Sequence, residues 1–146
     1  MIYTNKYTNR YTNRYQKIID TINEPYKNRD NKPNIHGKHI FPEKALIFLD
    51  MPVREKAYHG SSYEFLCFKD ICTTKGQVIV NRDIEKDIND KIEKLNCNIT
   101  AIHKHPETIM YMLPEKEYEK ESHIHFKCEN KSYDHTLEIA KFLRNF

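Results

Sequence analysis

Two short segments, Ile99–Pro106 (ITAIHKHP) and Ser122–Phe126 (SHIHF), each carry a pair of histidines one residue apart on an apolar run. Side chains at i and i+2 share a face of a β-strand. His103 and His105 are therefore expected to point one way. His123, His125 and Lys127 are expected to share a face, with Ile124, Phe126 and Cys128 on the other. Cross-strand neighbours hold their Cβ atoms ~5 Å apart. If strands over 98–103 and 123–128 pair antiparallel, the end of the first lies beside the start of the second. Up to four imidazoles then meet at one end of a sheet.

The remaining pattern supplies the elements around these strands. Strands are predicted over 35–41, 45–49, 63–69 and 77–81, with Pro42 and Pro52 as breaks and Lys75-Gly76 as a turn signal. Ile84, Ile88, Ile92 and Leu95 recur at helical spacing, so 83–96 reads as a helix with Asp83 as its N-cap and Asn96 in the left-handed closing position. A last helix over 134–145 follows, capped by Ser132 or Asp134. Residues 106–122 form a long irregular segment, with one helical turn expected at 115–121. The C-terminal half is thus β-α-β-β-α. The fold class is α+β, a mainly antiparallel sheet with helices on one face.

The first residues are a tandem repeat, YTNK, YTNR, YTNR, with Tyr at 3, 7, 11 and 15. Thr and Asn are weak helix formers. Residues 1–13 are therefore read as a disordered low-complexity arm, 14–23 as a short helix, and 14–146 as a single domain, as expected for 146 residues. Residues 1–40 hold eight Lys or Arg against three Asp or Glu, a balance of +5. The total of +3 leaves the rest at −2. A basic arm on a mildly acidic domain is too weak a field to argue for nucleic acid, so the expected partner is a small molecule or a protein. No stretch resembles a secretory h-region or a membrane span, so the expected location is cytoplasmic. Cys67, Cys72, Cys97 and Cys128 include no CxxC. Cys67, Cys97 and Cys128 lie in or beside apolar runs, where they are expected to pack as small hydrophobes.

Three histidines with an open fourth position form a known catalytic zinc arrangement, in which bound water becomes a nucleophile near neutral pH. The candidate ligands are His103, His105, His125 and His123, for Zn2+ or another divalent metal. The same histidines also suit a polar pocket without metal, or no special role. A nucleophilic Cys128 beside a histidine is a further, less favoured option.

Phe41–Leu46 (FPEKAL), Gly60–Phe65 (GSSYEF), Gly76–Asn81 (GQVIVN), the 83–96 helix, ITAIHKHP, HIHF and Leu137–Phe146 occur in an order similar to that of the LppY/LpqO-like family of bacterial proteins. The resemblance covers about residues 35–146. It implies that His103, His105 and His125 are the family's histidines, that His123 is not, and that no activity is assigned. His103-Lys104-His105-Pro106 also resembles the HxHP of JAB/JAMM metallopeptidases. That resemblance implies a zinc-dependent isopeptidase with Glu43 as general base. The downstream Ser-x-x-Asp of that family is absent, with Glu117 in PEKE the nearest acid. Three functions are thus open: a histidine-site domain holding a metal or small ligand, a JAMM-type peptidase, or a non-catalytic interaction module using the Tyr-Asn-basic arm.

Overall fold

Alternation decides the sheet. In β2 (Lys44–Asp50), Ala45, Ile47 and Leu49 are buried, while Lys44, Leu46 and Asp50 are exposed. A strand with one apolar side has to lay that side against another layer. The computed structural model describes residues 6–104 and 120–146, with side chains from Arg10 onward. Its strands are β1 (Asn34–Ile40), β2, β3 (Ser62–Phe68), β4 (Ile71–Asn81), β5 (Asn98–Lys104) and β6 (Glu121–Ser132). They form one six-stranded sheet in the order β1-β2-β3-β4-β6-β5, with every neighbouring pair antiparallel. The fold is α+β, as the pattern predicts.

The helices are α1 (Lys6–Asn23), α2 (Glu85–Lys94) and α3 (Tyr133–Leu143). Tyr15, Ile18 and Ile22 of α1, Ile88 and Ile92 of α2, and Ile139 and Leu143 of α3 join one core with Ile47, Leu49, Tyr63, Phe65, Val78, Val80, Ile124 and Phe126 of the sheet. Strand alternation and register put these sheet residues on a single face. Polar side chains of the same strands, including Glu64, Lys75, Gln77, His125 and Lys127, point to the opposite face. None of the described helices is long and apolar enough to cross a membrane.

Several local expectations change. Helix α1 begins at Lys6, well before the predicted 14–23, because its Tyr spacing is used in packing. Tyr11 and Tyr15 stack at 6.2 Å, and the buried Tyr15 hydroxyl donates to the Lys69 carbonyl oxygen. Arg10 and Arg14 both reach Asp70. These contacts offset the poor propensity of Thr and Asn, as tertiary context does for weak helix formers. Lys75-Gly76 is not a turn. It lies inside β4, and the β3–β4 reversal falls at Lys69-Asp70, with Lys69 at φ 53°. Gly76 is there because a Cβ would stand 2.1 Å from the Ser62 carbonyl oxygen. Asp83 does not cap α2: it lies in a 3-10 turn, Arg82–Ile84, that Asn81 caps by accepting from the Asp83 N–H, and α2 follows from Ile84 with no side-chain cap. Asn96 is left-handed (φ 58°) and Ser132 caps α3 through the His135 N–H, as expected.

The cysteines do not pack as free apolar side chains. Cys67 pairs with Cys72 across the β3–β4 hairpin, and Cys97 pairs with Cys128, tying the start of β5 to β6. A nucleophilic Cys128 is thereby removed. The missed signal is register. Cys67 and Cys72 face each other directly, and Cys97 precedes Asn98, which is opposite Lys127. Neither juxtaposition has a sequence spacing of its own.

Candidate metal centre

Strands β5 and β6 are antiparallel neighbours, so the pairing on which the histidine cluster depends is present. His103 lies directly opposite His123, and Ala101 opposite His125. A bulge at Thr100 resets the register between Ile99 and Ala101. His103 and His125 approach diagonally, with ring centroids 4.8 Å apart. Burial lowers the His125 pKa, and the neighbouring His103 lowers it further, so a neutral imidazole is favoured.

The group that could hold a metal ion is a different set. Glu121, His123 and His125 alternate along β6 and share the open face of the sheet. The loop between β2 and β3 folds over this end and brings His59 to it. One ligand atom each from His59, Glu121 and His123 lie within 4.8 Å of one another, the only such group of three or more among the described residues. His59 Nδ1 is 3.2 Å from Glu121 Oε2, and His123 Nε2 is 3.3 Å from the same oxygen. The two imidazoles meet edge to face at 5.1 Å.

The surroundings hold Glu121 in place. Its side chain is almost wholly buried, His123 is nearly so, and His59 is half exposed. Glu121 Oε1 accepts from the backbone N–H of Tyr58 and, at 3.2 Å, from that of His59. Burial by itself raises the pKa of this carboxyl. The hydrogen bonds from Tyr58 and His59 outweigh it and hold the group below its ordinary value, so Glu121 is ionised at neutral pH. Beside His123 on the same face, the directly opposed Ile79 is buried. The loop is pinned by Ser61, whose hydroxyl accepts from the Ile79 N–H and donates to the Phe146 carbonyl oxygen. A buried carboxylate flanked by two imidazoles, open on the His59 side, is a chemically competent two-histidine, one-carboxylate donor set.

Of the predicted ligands, His123 belongs to this group. His103 and His125 form an imidazole pair beside it, on the same face. His105 and Glu117 lie outside the described residues, as does nearly all of the predicted 106–122 loop. Glu43 is not brought to the histidines. It precedes β2 at the Phe68, Ile71 and Ser132 end of the sheet. Glu121 starts β6 at the other end, eleven strand positions from Ser132 and so on the order of 30 Å away. Sequence reasoning missed His59 and Glu121. Glu121 was accessible to the rule that found the histidines, since it stands two residues before His123 in E-S-H-I-H. His59 had no such signal, because only the loop path brings it to β6. Comparison with known proteins gives no match to any family model, curated protein or solved structure.

Proposed function

We propose that this protein binds a divalent metal ion, zinc foremost, through His59, Glu121 and His123, and uses it on a small ligand at the open face of the sheet. The observation that carries this is the spacing of the donors. A tetrahedral zinc with bonds of ~2.0–2.1 Å needs donor atoms about 3.3–3.4 Å apart. The two separations that share Glu121 Oε2, both histidine–carboxylate hydrogen bonds, are 3.2 and 3.3 Å, and all three donor atoms lie within 4.8 Å, so a bound ion would draw the two imidazoles together about the carboxylate. The backbone N–H groups on Oε1 supply the outer-shell support that metal carboxylates ordinarily have. Three protein ligands with one exposed side match a catalytic rather than a closed structural site, and a bound zinc would there activate water as a nucleophile.

The resemblance to LppY/LpqO-like proteins remains a proposal alongside this reading. It draws on His103 and His125, which border the centre. The JAMM-type reading stands as a proposal as well, and it would need a general base other than Glu43, which precedes β2 at the opposite end of the sheet from His103. The two disulfides support an oxidising compartment over the cytoplasm suggested by the sequence.

The test is metal stoichiometry of the purified chain by elemental analysis, with calorimetric titration of Zn2+, Fe2+ and Mn2+ into chelator-treated protein. One tightly held zinc, lost in His123→Ala and Glu121→Gln and weakened in His59→Ala, supports the proposal. Equal, weak uptake by wild type and all three variants would overturn it.

A further inference from the structure

A cleft of about 480 Å³ runs across the open face of the sheet beside the metal centre. Its wall nearest that centre is a block of four side chains on two adjacent strands. Lys75 is directly opposite Lys127, and Gln77 directly opposite His125. Alternation puts all four on the same face, and all four line the cleft. Every member of the block offers N–H donors.

Two lysines directly opposed across a sheet repel one another. Each has an acid nearby, Glu64 at 3.1 Å from Lys75 and Glu129 at 3.5 Å from Lys127, and both lysine side chains remain about half exposed. An ammonium carries three donors, so one carboxylate leaves capacity on each. Asp50 lines the β2 side of the cleft, and Glu64 lies between it and the block, directly opposite Lys75 and paired with it. The cationic side is therefore the one that borders the histidines.

We propose that this block binds the phosphate group of a small molecule whose other end reaches the metal centre, an inference that rests on the metal-binding reading for the second contact only. Phosphate presents several acceptor oxygens to donors converging from Lys75, Lys127, Gln77 and His125, and it relieves the repulsion between the lysines. Strand geometry sets the length of the ligand. His125 is two positions and Lys127 four positions from His123 along β6, about 7 and 13 Å at the strand rise. A sugar phosphate or a mononucleotide has the span required, whereas a phosphate alone fills only the distal half.

The experiment titrates inorganic phosphate into the metal-free, full-length protein and follows backbone amide resonances. Acetate and sulfate serve as parallel probes for carboxylate and for non-selective anion binding. Saturable shifts at Lys75, Gln77, His125 and Lys127 are expected with phosphate. Affinity should fall about tenfold or more in Lys75→Gln/Lys127→Gln, with the single variants as folding controls. His123→Ala should bind phosphate as wild type does while losing metal, so failure of the metal reading and failure of this one are separately visible. Shifts that stay linear to ~50 mM phosphate, far above any specific affinity, would overturn the proposal. So would equal binding of sulfate and acetate, or binding unchanged in the double variant.

Discussion

Glu121 joins the β2–β3 loop to β6. Its Oε1 accepts two backbone N–H groups, and its Oε2 faces two imidazoles. Glu121→Ala removes both of those backbone hydrogen bonds at a cost of about 1–3 kcal/mol each. The expected loss is about 2–4 kcal/mol in urea unfolding, with loop amides of Tyr58 and His59 losing exchange protection first. A loss under about 0.5 kcal/mol, the level of an ordinary surface change, would show that the carboxylate does not hold the loop. Acid acts in the same direction. Because folding lowers this carboxyl from its usual 4.5, its contribution is complete above that pH and disappears as pH falls below it through the lowered value. Tyr15 gives the opposite case. Burial first, then the Tyr11 and Asp70 charges, raise its phenol from 10.0 to about 12. The unfolded chain loses this proton before the folded one does. Stability is therefore full below pH 10 and declines between about 10 and 12. Denaturation midpoints measured at pH 9, 10.5 and 11.5 should fall less steeply in Tyr15→Phe than in wild type.

Among the elements, β4 and β6 make the longest ladder, and the features that keep it in register are local. Gly76→Ala drives a methyl group into the Ser62 carbonyl oxygen, 2.1 Å away. The expected cost is about 2–4 kcal/mol, read as a lower melting temperature. A neutral outcome would mean that β3 and β4 can separate there without loss. The disulfides close loops of different length, with a sequence separation of 5 for Cys67–Cys72 and 31 for Cys97–Cys128. Loop-closure entropy then assigns about 2 kcal/mol to the first and about 3.5 kcal/mol to the second. Unfolding of Cys67→Ala/Cys72→Ala and Cys97→Ala/Cys128→Ala should show the larger loss in the second pair. The reverse order would point to residual structure in the unfolded chain. Element types were largely legible, because Val-Ile alternation in β4 and the Ile84–Leu95 stripe in α2 leave little choice of period. Element lengths were not. Alternation fades where Thr73, Thr74 and Lys75 extend β4 backward, and only pairing with β3 and β6 carries the strand through them.

At the scale of the molecule, the described helices take one face of the sheet, and the group that could hold a metal ion stands on the other. Both the donor group and the adjoining cleft lie on that free face. A ligand that binds only the folded state stabilises it by about 2.7 kcal/mol at a hundred times its Kd. For a chain of this size that corresponds to a rise of roughly 5–10 °C in Tm. Zinc should give this shift by scanning calorimetry in wild type but not in His123→Ala. A shift of equal size in both would locate zinc binding elsewhere on the chain.

The period of two in ITAIHKHP and SHIHF was enough to establish two strands, the shared face of His123 and His125, and the apolar face of Ile124 and Phe126. These are properties of residues a few positions apart, for which the backbone repeat alone sets direction. What only the tertiary structure decided is which distant side chains meet. His59 is 62 residues from Glu121, Cys97 is 31 from Cys128, and Lys75 is 52 from Lys127. Such encounters depend on strand order, register and one loop's path, which no local repeat encodes.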